Sequence, residues 1–203
     1  MNNNKIDIIL VRHAESIANE KNILIGQKED ENKNLSVKGI KQSKDVAYRI
    51  RYTQSMLDAI YSSELARAYK TARMIERSAD VSLKVNKCSG LNEMYLGKAE
   101  GMLIEKFEKD YPDITKHWET FGYPEGIEGQ EKKEEVANRM MDTIIDIANK
   151  EKGNRTICIV SHEIAIECLV NKITGNSRVF KIDNGEFIHL SYYYNSKKLK
   201  LGY

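Results

Sequence analysis

Two apolar segments that each end in a histidine constrain the fold of this 203-residue chain. They read IDIILVRH, ending at His13, and TICIVSH, ending at His162. Both are rich in β-branched residues, which predicts buried strands at Ile6–Val11 and Thr156–Val160, and a similar run predicts a strand at Ala59–Tyr61. Continuous apolar strands are typical of a parallel sheet covered on both faces, so we expect an α/β architecture.

Amphipathic patterns between and after these strands predict helices. The first helix would be capped by Ser36 and run to about Arg51, and the second would be capped by Ser62 or Ser63. The third would span Glu131–Lys150, and the fourth would span Glu163–Ile173 and end near Gly175. The C-terminal sequence GEFIHLSYYYNSKKLKLGY alternates apolar and polar residues. It predicts a hairpin turning at Asn195–Lys197, which would form an antiparallel edge of the sheet.

Length and regularity predict one domain over residues 1–203. Residues 101–130 are the least regular part and are interpreted as an insertion or lid over the sheet. Within them, Trp118, Phe121 and Tyr123 would either wall the leaving-group side of a site or anchor the segment to the core; we favour the core.

Charge and cysteine usage exclude several function classes. Lys and Arg number 32 against 30 Asp and Glu, so nothing favours nucleic acid or an acidic membrane as partner. The N-terminal apolar run is too short for a signal peptide or a membrane span. Cys88, Cys158 and Cys168 lack metal-ligand spacing, and two of them lie in apolar runs, which suggests buried thiols in the cytoplasm.

Polar side chains follow both histidine-ending strands. The carboxyl ends of strands in open α/β sheets form the crevice where ligands bind, so His13 and His162 are expected to converge there. Helix N-termini, including the amide of Glu163, face the same crevice and favour anions. One histidine at a strand end is as often a polar terminus as a functional group, but this placement occurs twice.

Two arginines strengthen the prediction of an anion site. Arg67 lies near the start of the helix after strand Ala59–Tyr61, where a cation opposes the helix dipole. An ion pair with Glu64 is worth only about 0.2–0.5 kcal/mol, so a bound anion explains Arg67 better. Arg12 likewise places a charge at the mouth of an apolar strand. Together these groups indicate a phosphate-sized positive pocket in a nearly neutral protein.

Four blocks in collinear order resemble the histidine phosphatase superfamily, whose fold is phosphoglycerate mutase-like. LVRHAESIAN is similar to the signature of the branch with an RHGE-type motif. YSSELARAYKTARMI, LNEMYLGKAEG and VSHEIAIECLV resemble the second, third and fourth blocks, and the resemblance covers most of the chain. It implies a three-layer sandwich in which helices flank a mostly parallel central sheet.

The resemblance implies a phosphohistidine mechanism that needs neither a metal nor a cofactor. His13 would be the nucleophile that takes the phosphoryl group from a small phosphorylated substrate. Side chains or backbone N–H groups implied to bind the phosphate belong to Arg12, Asn19, Gly26, Arg67, His162 and Glu163.

Glu93 is implied as the general acid for the leaving oxygen and then as the base that activates water. Glu163 is a rival, because an acidic residue directly after the second histidine is the proton donor in a distant branch of the superfamily. We prefer Glu93, since the third block is intact.

Three functions are compatible with the same set of predicted site residues. We expect hydrolysis of a phosphomonoester, because the segment 102–126 holds no arginine for the second acidic group of a bisphosphate. Phosphoglycerate mutase-type transfer and an inactive binding module are the alternatives. The chain is expected to be a monomer or a homodimer, with the C-terminal hairpin as a possible dimer edge.

Overall fold

A central sheet is built from the three predicted strands, a short additional strand and the C-terminal hairpin. The computed structural model describes residues 4–53, 57–79, 82–116, 118, 122–153, 155–176 and 179–202. The strands are β1 (Lys5–Arg12), β2 (Ala59–Ser62), β3 (Val85–Lys87), β4 (Thr156–Ser161), β5 (Phe187–Tyr193) and β6 (Lys198–Leu201). All three predicted strands and the hairpin are confirmed.

The strand order in the described part of the chain is β3-β2-β4-β1-β5-β6. Neighbours among β1 to β4 pair in parallel, whereas β5 is antiparallel to both β1 and β6. Because β1 and β4 are adjacent and parallel, Arg12 pairs with Ser161, and the histidine that follows each strand lies at the same edge of the sheet. Strand adjacency therefore produces the convergence that the sequence predicts.

Helices cover both faces of the sheet. They are α1 (Ile17–Glu20), α2 (Val37–Thr53), α3 (Ala66–Ser78), α4 (Ile104–Asp110), α5 (Pro112–Thr115), α6 (Lys133–Lys150) and α7 (Glu163–Thr174). Apolar residues of α2 and α3 pack with Ile9 and Val11 of β1, whereas those of α6 and α7 pack with Ile8 and Leu10. Alternate residues of β1 thus belong to two hydrophobic cores, one on each face of the sheet. The three-layer α/β fold is confirmed.

Two of the predicted helix ends are confirmed. The hydroxyl of Ser36 accepts a hydrogen bond from the Gly39 N–H at 2.9 Å, so Ser36 caps α2. Helix α7 ends at Gly175, whose φ of 67° is the left-handed conformation favoured by glycine.

Two predicted helix starts are wrong. Helix α3 begins at Ala66 after Leu65, which makes no side-chain cap. The Ser62 hydroxyl donates to the carbonyl of Ser63, and the Ser63 hydroxyl accepts the N–H of Leu65, before the first turn of the helix. Helix α6 begins at Lys133, two residues after the predicted Glu131.

Residues 101–130 contain α4 and α5 and pack onto the larger core. Phe107 is fully buried and stacks on Tyr123 at 5.9 Å between ring centroids, and Trp118 contacts both rings edge-on. The preference for a core role is confirmed for Trp118 and Tyr123, although both also border the cavity described below. Phe121 lies outside the described residues.

The cysteine prediction holds for the two residues in apolar runs, Cys158 and Cys168, which are buried free thiols. Within the described ranges, we find no helix long and apolar enough to cross a membrane.

Candidate active site

A cavity of about 490 Å³ opens at the carboxyl edge of the parallel strands. Six of the predicted site residues border it: Arg12, His13, Asn19, Arg67, Glu93 and Glu163. His162 is fully buried directly behind His13, with 5.0 Å between the two ring centroids. The fold therefore brings together groups that lie as much as 150 positions apart in the chain.

The ring of His13 is held in one tautomer. Its Nδ1 lies 2.7 Å from the carbonyl oxygen of Ala14, which can only accept, so Nδ1 carries the proton. The other nitrogen, Nε2, accepts a hydrogen bond from Nε of Arg67 at 3.2 Å. Burial lowers the pKa of His13 well below its usual range, and the charges of Arg67 and Arg12 lower it further. His13 is thus a neutral imidazole that borders the cavity, and its Nε2 carries the lone pair that a nucleophile needs, here in a hydrogen bond from Arg67.

Arg67 is a buried cation oriented by backbone carbonyls. Its Nη2 donates to the carbonyl oxygens of Ile25 and Gly26, at 3.3 and 2.7 Å. The alternative of an ion pair with Glu64 is replaced by these contacts. Its Nη1 has no hydrogen-bond partner among the described residues.

Arg12 is anchored on two sides. Its Nη1 donates to the carbonyl oxygen of Ile182 at 2.7 Å, and its Nη2 pairs with Oε2 of Glu163 at 2.7 Å. Within the described chain, Nε of Arg12 is buried without a partner. The Glu163 carboxylate therefore positions Arg12. This ion pair gives Glu163 a role that does not require it to protonate the leaving group.

His162 is oriented by Ser63. The Ser63 hydroxyl donates to Oδ1 of Asn92 at 2.8 Å, so it accepts from Nε2 of His162 at 2.8 Å. Nδ1 of His162 is buried, and the described residues give it no partner. Burial lowers the pKa of His162 well below its usual range, with further lowering by Arg67 and His13.

Three buried nitrogens around His13 thus lack a protein partner among the described residues: Nε of Arg12, Nη1 of Arg67 and Nδ1 of His162. A buried polar atom without a partner costs free energy, so such atoms rarely persist without a function. Two of the three belong to guanidinium groups, which bind phosphoryl oxygens well. The two guanidinium donors therefore fit an anion, whereas Nδ1 of the neutral His162 ring carries a lone pair and becomes a donor only when it is protonated. The described side chains include no group of three or more His, Cys, Asp or Glu residues that could hold a metal ion.

Glu93 is placed to handle a proton. It is 5% exposed, borders the cavity, and its two oxygens accept the N–H groups of Met94, Ile164 and Ala165. Burial raises the pKa of Glu93, against these hydrogen bonds and the charge of Arg67, which lower it. A raised pKa favours a general acid near neutral pH. Glu163, in contrast, is partly exposed and paired with Arg12.

Gly26 does not match its predicted role. Its N–H donates to Oε2 of Glu100 at 3.1 Å, and its carbonyl accepts from Arg67. Glu100 also accepts from the N–H groups of Gln27 and Leu96, so this carboxylate organises the loop and leaves no free amide at Gly26. Gly26 orients Arg67 rather than binding an anion.

Asn19 borders the cavity, but its oxygen is already used. Oδ1 of Asn19 accepts from the N–H and the hydroxyl of Ser16, which closes α1 in a capping box. Glu163 is the first residue of α7 and borders the cavity.

Sequence reasoning missed two residues that organise the site. Ser63 was interpreted as a helix cap, although it orients His162. Arg139 of α6 donates to the carbonyl oxygens of Asn92 and Glu93, which fixes the loop that carries Glu93. No local pattern distinguishes Arg139 from a surface arginine, because its contacts to this loop are to backbone atoms about 46 positions away and its side-chain partner, Glu131, is an ordinary ion-pair partner.

Comparisons with known proteins agree with this geometry. A model of the histidine phosphatase superfamily (branch 1) matches residues 8–202. The chain is 31% identical over 170 residues to phosphoserine phosphatase 1 of Hydrogenobacter thermophilus, covering 84% of this chain and 77% of that protein. It is 30% identical over 189 residues to the metal-independent phosphoserine phosphatase of Arabidopsis thaliana, covering 91% and 76%. The solved structure of mycobacterial hydrolase 1 shares the fold, with a TM-score of 0.83, 22% identity and coverage of 98% and 97%.

Proposed function

The chain belongs to the histidine phosphatase superfamily, and we propose that it hydrolyses a small phosphomonoester through a phosphorylated His13. One observation carries the proposal. The lone pair of a neutral, oriented imidazole lies beside three buried nitrogens that have no partner among the described residues. A phosphoryl group supplies the electrophile for the imidazole and acceptor oxygens for the two guanidinium N–H groups, and also for Nδ1 of His162 once that nitrogen is protonated.

In the first step, Nε2 of His13 attacks phosphorus. The P–N bond forms as the bond from phosphorus to the ester oxygen breaks, and Glu93 gives its proton to the departing oxygen. The proton stays on Nδ1, which keeps its hydrogen bond to the Ala14 carbonyl, so the phosphorylated ring remains oriented. The product of this step is an alcohol.

In the second step, a water oxygen attacks phosphorus and the P–N electrons return to Nε2. Glu93, now ionised, takes the proton from that water and is restored to its acid form. Inorganic phosphate is the second product. Both steps develop charge on the equatorial oxygens, which Arg12 and Arg67 are placed to stabilise without a metal.

The charges around the rest of the cavity support hydrolysis over mutase-type transfer. Glu108, Glu163 and Glu167 border the cavity outside the phosphate cluster, against Lys181 as the cation among the described lining residues. A mutase must hold the second acidic group of a bisphosphate, and this lining repels one. The relatives named above are phosphatases of phosphoserine, so that compound belongs in the first substrate panel.

A cytoplasmic location and a monomeric or homodimeric state remain predictions from the sequence. The buried free thiols of Cys158 and Cys168 support the first.

The test is phosphate release from phosphoserine, sugar phosphates, phosphoglycerates and an aryl phosphate, with chelator present and His13→Ala as control. Release by wild type alone supports the proposal. Isomerisation of phosphoglycerates without release would instead place the chain among mutases. A folded protein with neither activity would contradict both.

A further inference from the structure

A second buried group borders the cavity away from the phosphate cluster. Glu167 lies one turn after Glu163 on α7, is 4% exposed, and faces the same cavity. Its Oε1 accepts no hydrogen bond from the described residues, and Nζ of Lys133 approaches it only to 4.0 Å, beyond hydrogen-bonding range. A carboxylate buried in this way is costly unless something binds it.

The backbone of Gly122 packs against this carboxylate. A Cβ added at Gly122 would lie 1.8 Å from Oε1 of Glu167, and φ of Gly122 is 73°. Both facts require glycine here, because the Gly122 backbone packs directly against the Glu167 carboxylate. The next residue, Tyr123, is 3% exposed and borders the cavity too, and its hydroxyl has no partner among the described residues.

The charges that act on Glu167 are mixed. Glu163 and Glu93 lie on the acidic side, and Lys133 and Lys181 on the basic side. Burial nevertheless dominates and raises the pKa of Glu167 to about 7. The surrounding lysines therefore do not satisfy the carboxylate, although they are close enough to act on it.

We propose that Glu167 binds an amino group on the leaving group of the substrate, so that the substrate is a phosphomonoester of an amino alcohol. An alkyl ammonium has three N–H donors and stays protonated at neutral pH, and it would supply the partner that Oε1 lacks. This inference rests on the proposed phosphatase activity, because the leaving group must extend from phosphorus at His13 towards α7. Glu167 determines specificity and takes no part in bond breaking.

The proposal sorts possible substrates by charge. A leaving group with an ammonium group meets the ionised carboxylate, whereas an anionic leaving group, such as that of a phosphoglycerate, meets Glu167, Glu163 and Glu108. An amino acid adds a carboxylate, for which the exposed Lys181 is a cation among the described lining residues outside the phosphate cluster. Amino alcohols and amino acids share the amine, which is the feature assigned to Glu167.

The experiment compares kcat/KM for 2-aminoethyl phosphate and 2-hydroxyethyl phosphate, which differ by one group of similar size. Wild type is expected to prefer the amine by roughly tenfold or more, since charge-assisted hydrogen bonds are worth about 1.5–3 kcal/mol. Glu167→Gln should reduce the ratio to about one. Glu134→Gln removes the same charge from an exposed position on α6 and should keep the wild-type ratio.

Other outcomes overturn the inference. A wild-type ratio of one or less contradicts it, and so does a folded Glu167→Gln variant with an unchanged ratio. If that variant does not fold, the wild-type ratio measured from pH 6 to pH 8 decides, because it should rise as Glu167 ionises. An aryl phosphate separates the two proposals: no hydrolysis of it by wild type contradicts the phosphatase function itself, whereas its hydrolysis without amine preference contradicts only the role of Glu167.

Discussion

At the scale of single residues, the proposed chemistry depends on the charge and the tautomer of the His13 ring. His13 is neutral because Arg67, Arg12 and burial all oppose its charging, and the Ala14 carbonyl selects its tautomer. The arginines that we propose to bind phosphate therefore also keep His13 neutral, the form it needs as the proposed nucleophile.

The assignment of the acid is tested by the leaving group. Glu93→Gln removes the proton donor, so turnover should fall by 10²–10⁴ for alkyl phosphates and much less for an aryl phosphate, whose oxygen leaves without protonation. The measurement is the first step's rate for a series of leaving groups.

Glu163→Gln is the matched control, because it removes the other candidate carboxylate. It should slow alkyl and aryl phosphates by the same factor, since Glu163 acts by positioning Arg12. A leaving-group dependence confined to the Glu163 variant would reverse the assignment.

Binding of phosphate should take up a proton at His162. Nδ1 of free His162 carries a lone pair, which would repel a phosphoryl oxygen, and a bound dianion raises the lowered pKa of this histidine. We expect uptake approaching one proton per inorganic phosphate bound at pH 8, where the free ligand is the dianion. Calorimetry in buffers of different ionisation enthalpy measures this. Unchanged heats across buffers would mean that His162 stays neutral.

At the same scale, the sequence allows the charged groups to be identified but not their supports. Arg12, His13 and Arg67 stand out because a charged or titratable side chain is unusual beside a buried strand or at a helix start. Ser63 and Arg139 do not stand out, because their contacts depend on backbone positions that only the folded chain brings near.

At the scale of elements, the buried strands could be predicted from the sequence and the exposed edge strand could not. Strands β1 and β4 are buried on both faces, which gives continuous apolar sequence. Strand β3 was not predicted, since it has three residues of which two are exposed and none is fully buried. The edge strand therefore gives no periodic signal, although it pairs with β2 in the structure.

Helix α2 also supports the loop that follows His13. A Cβ added at Gly39 would lie 1.9 Å from the carbonyl oxygen of Glu15, so helix and loop meet backbone to backbone. Gly39→Ala should destabilise the protein by about 1–3 kcal/mol through this overlap, although alanine usually stabilises a helix interior by about 1 kcal/mol.

Urea unfolding measures the effect of Gly39→Ala. Lys44→Ala, on an exposed position of the same helix, is the control and should change stability by less than about 0.5 kcal/mol. A Gly39→Ala protein more stable than wild type would show that the loop yields to the helix.

At the scale of the whole molecule, the site carries a stability cost that depends on pH. Because burial raises the pKa of Glu167 to about 7, the folded state binds this proton more tightly than the unfolded state does. Between pH 5 and pH 8, stability is lost as pH rises and the buried carboxylate ionises.

Glu167→Gln removes this loss. The variant should gain about 2–3 kcal/mol over wild type at pH 8 relative to their difference at pH 5. Urea unfolding of both proteins at the two pH values measures the gain, and referring each variant to wild type at the same pH cancels the titration of other groups. The same stability difference at both pH values would show that Glu167 ionises normally.

The fold as a whole was predictable because the order of buried strands and amphipathic helices admits few architectures. The lining of the cavity was not, because residues 101–130 have no periodic pattern: Tyr123 is placed by stacking on Phe107, and Gly122 by its close approach to Glu167. The residues proposed to determine specificity thus include some from the part of the chain where sequence patterns are weakest.

Identification of the phosphorylated residue is the most direct test of the proposed chemistry. Glu93→Gln mixed with an aryl phosphate and quenched in alkali should carry one phosphoryl group, because attack on an activated ester proceeds while water activation is slowed. Peptide mapping should place the group on His13, and the double variant His13→Ala, Glu93→Gln should carry none. Hydrolysis without any covalent phosphoryl group, or with the group on His162 or another residue, would contradict the mechanism.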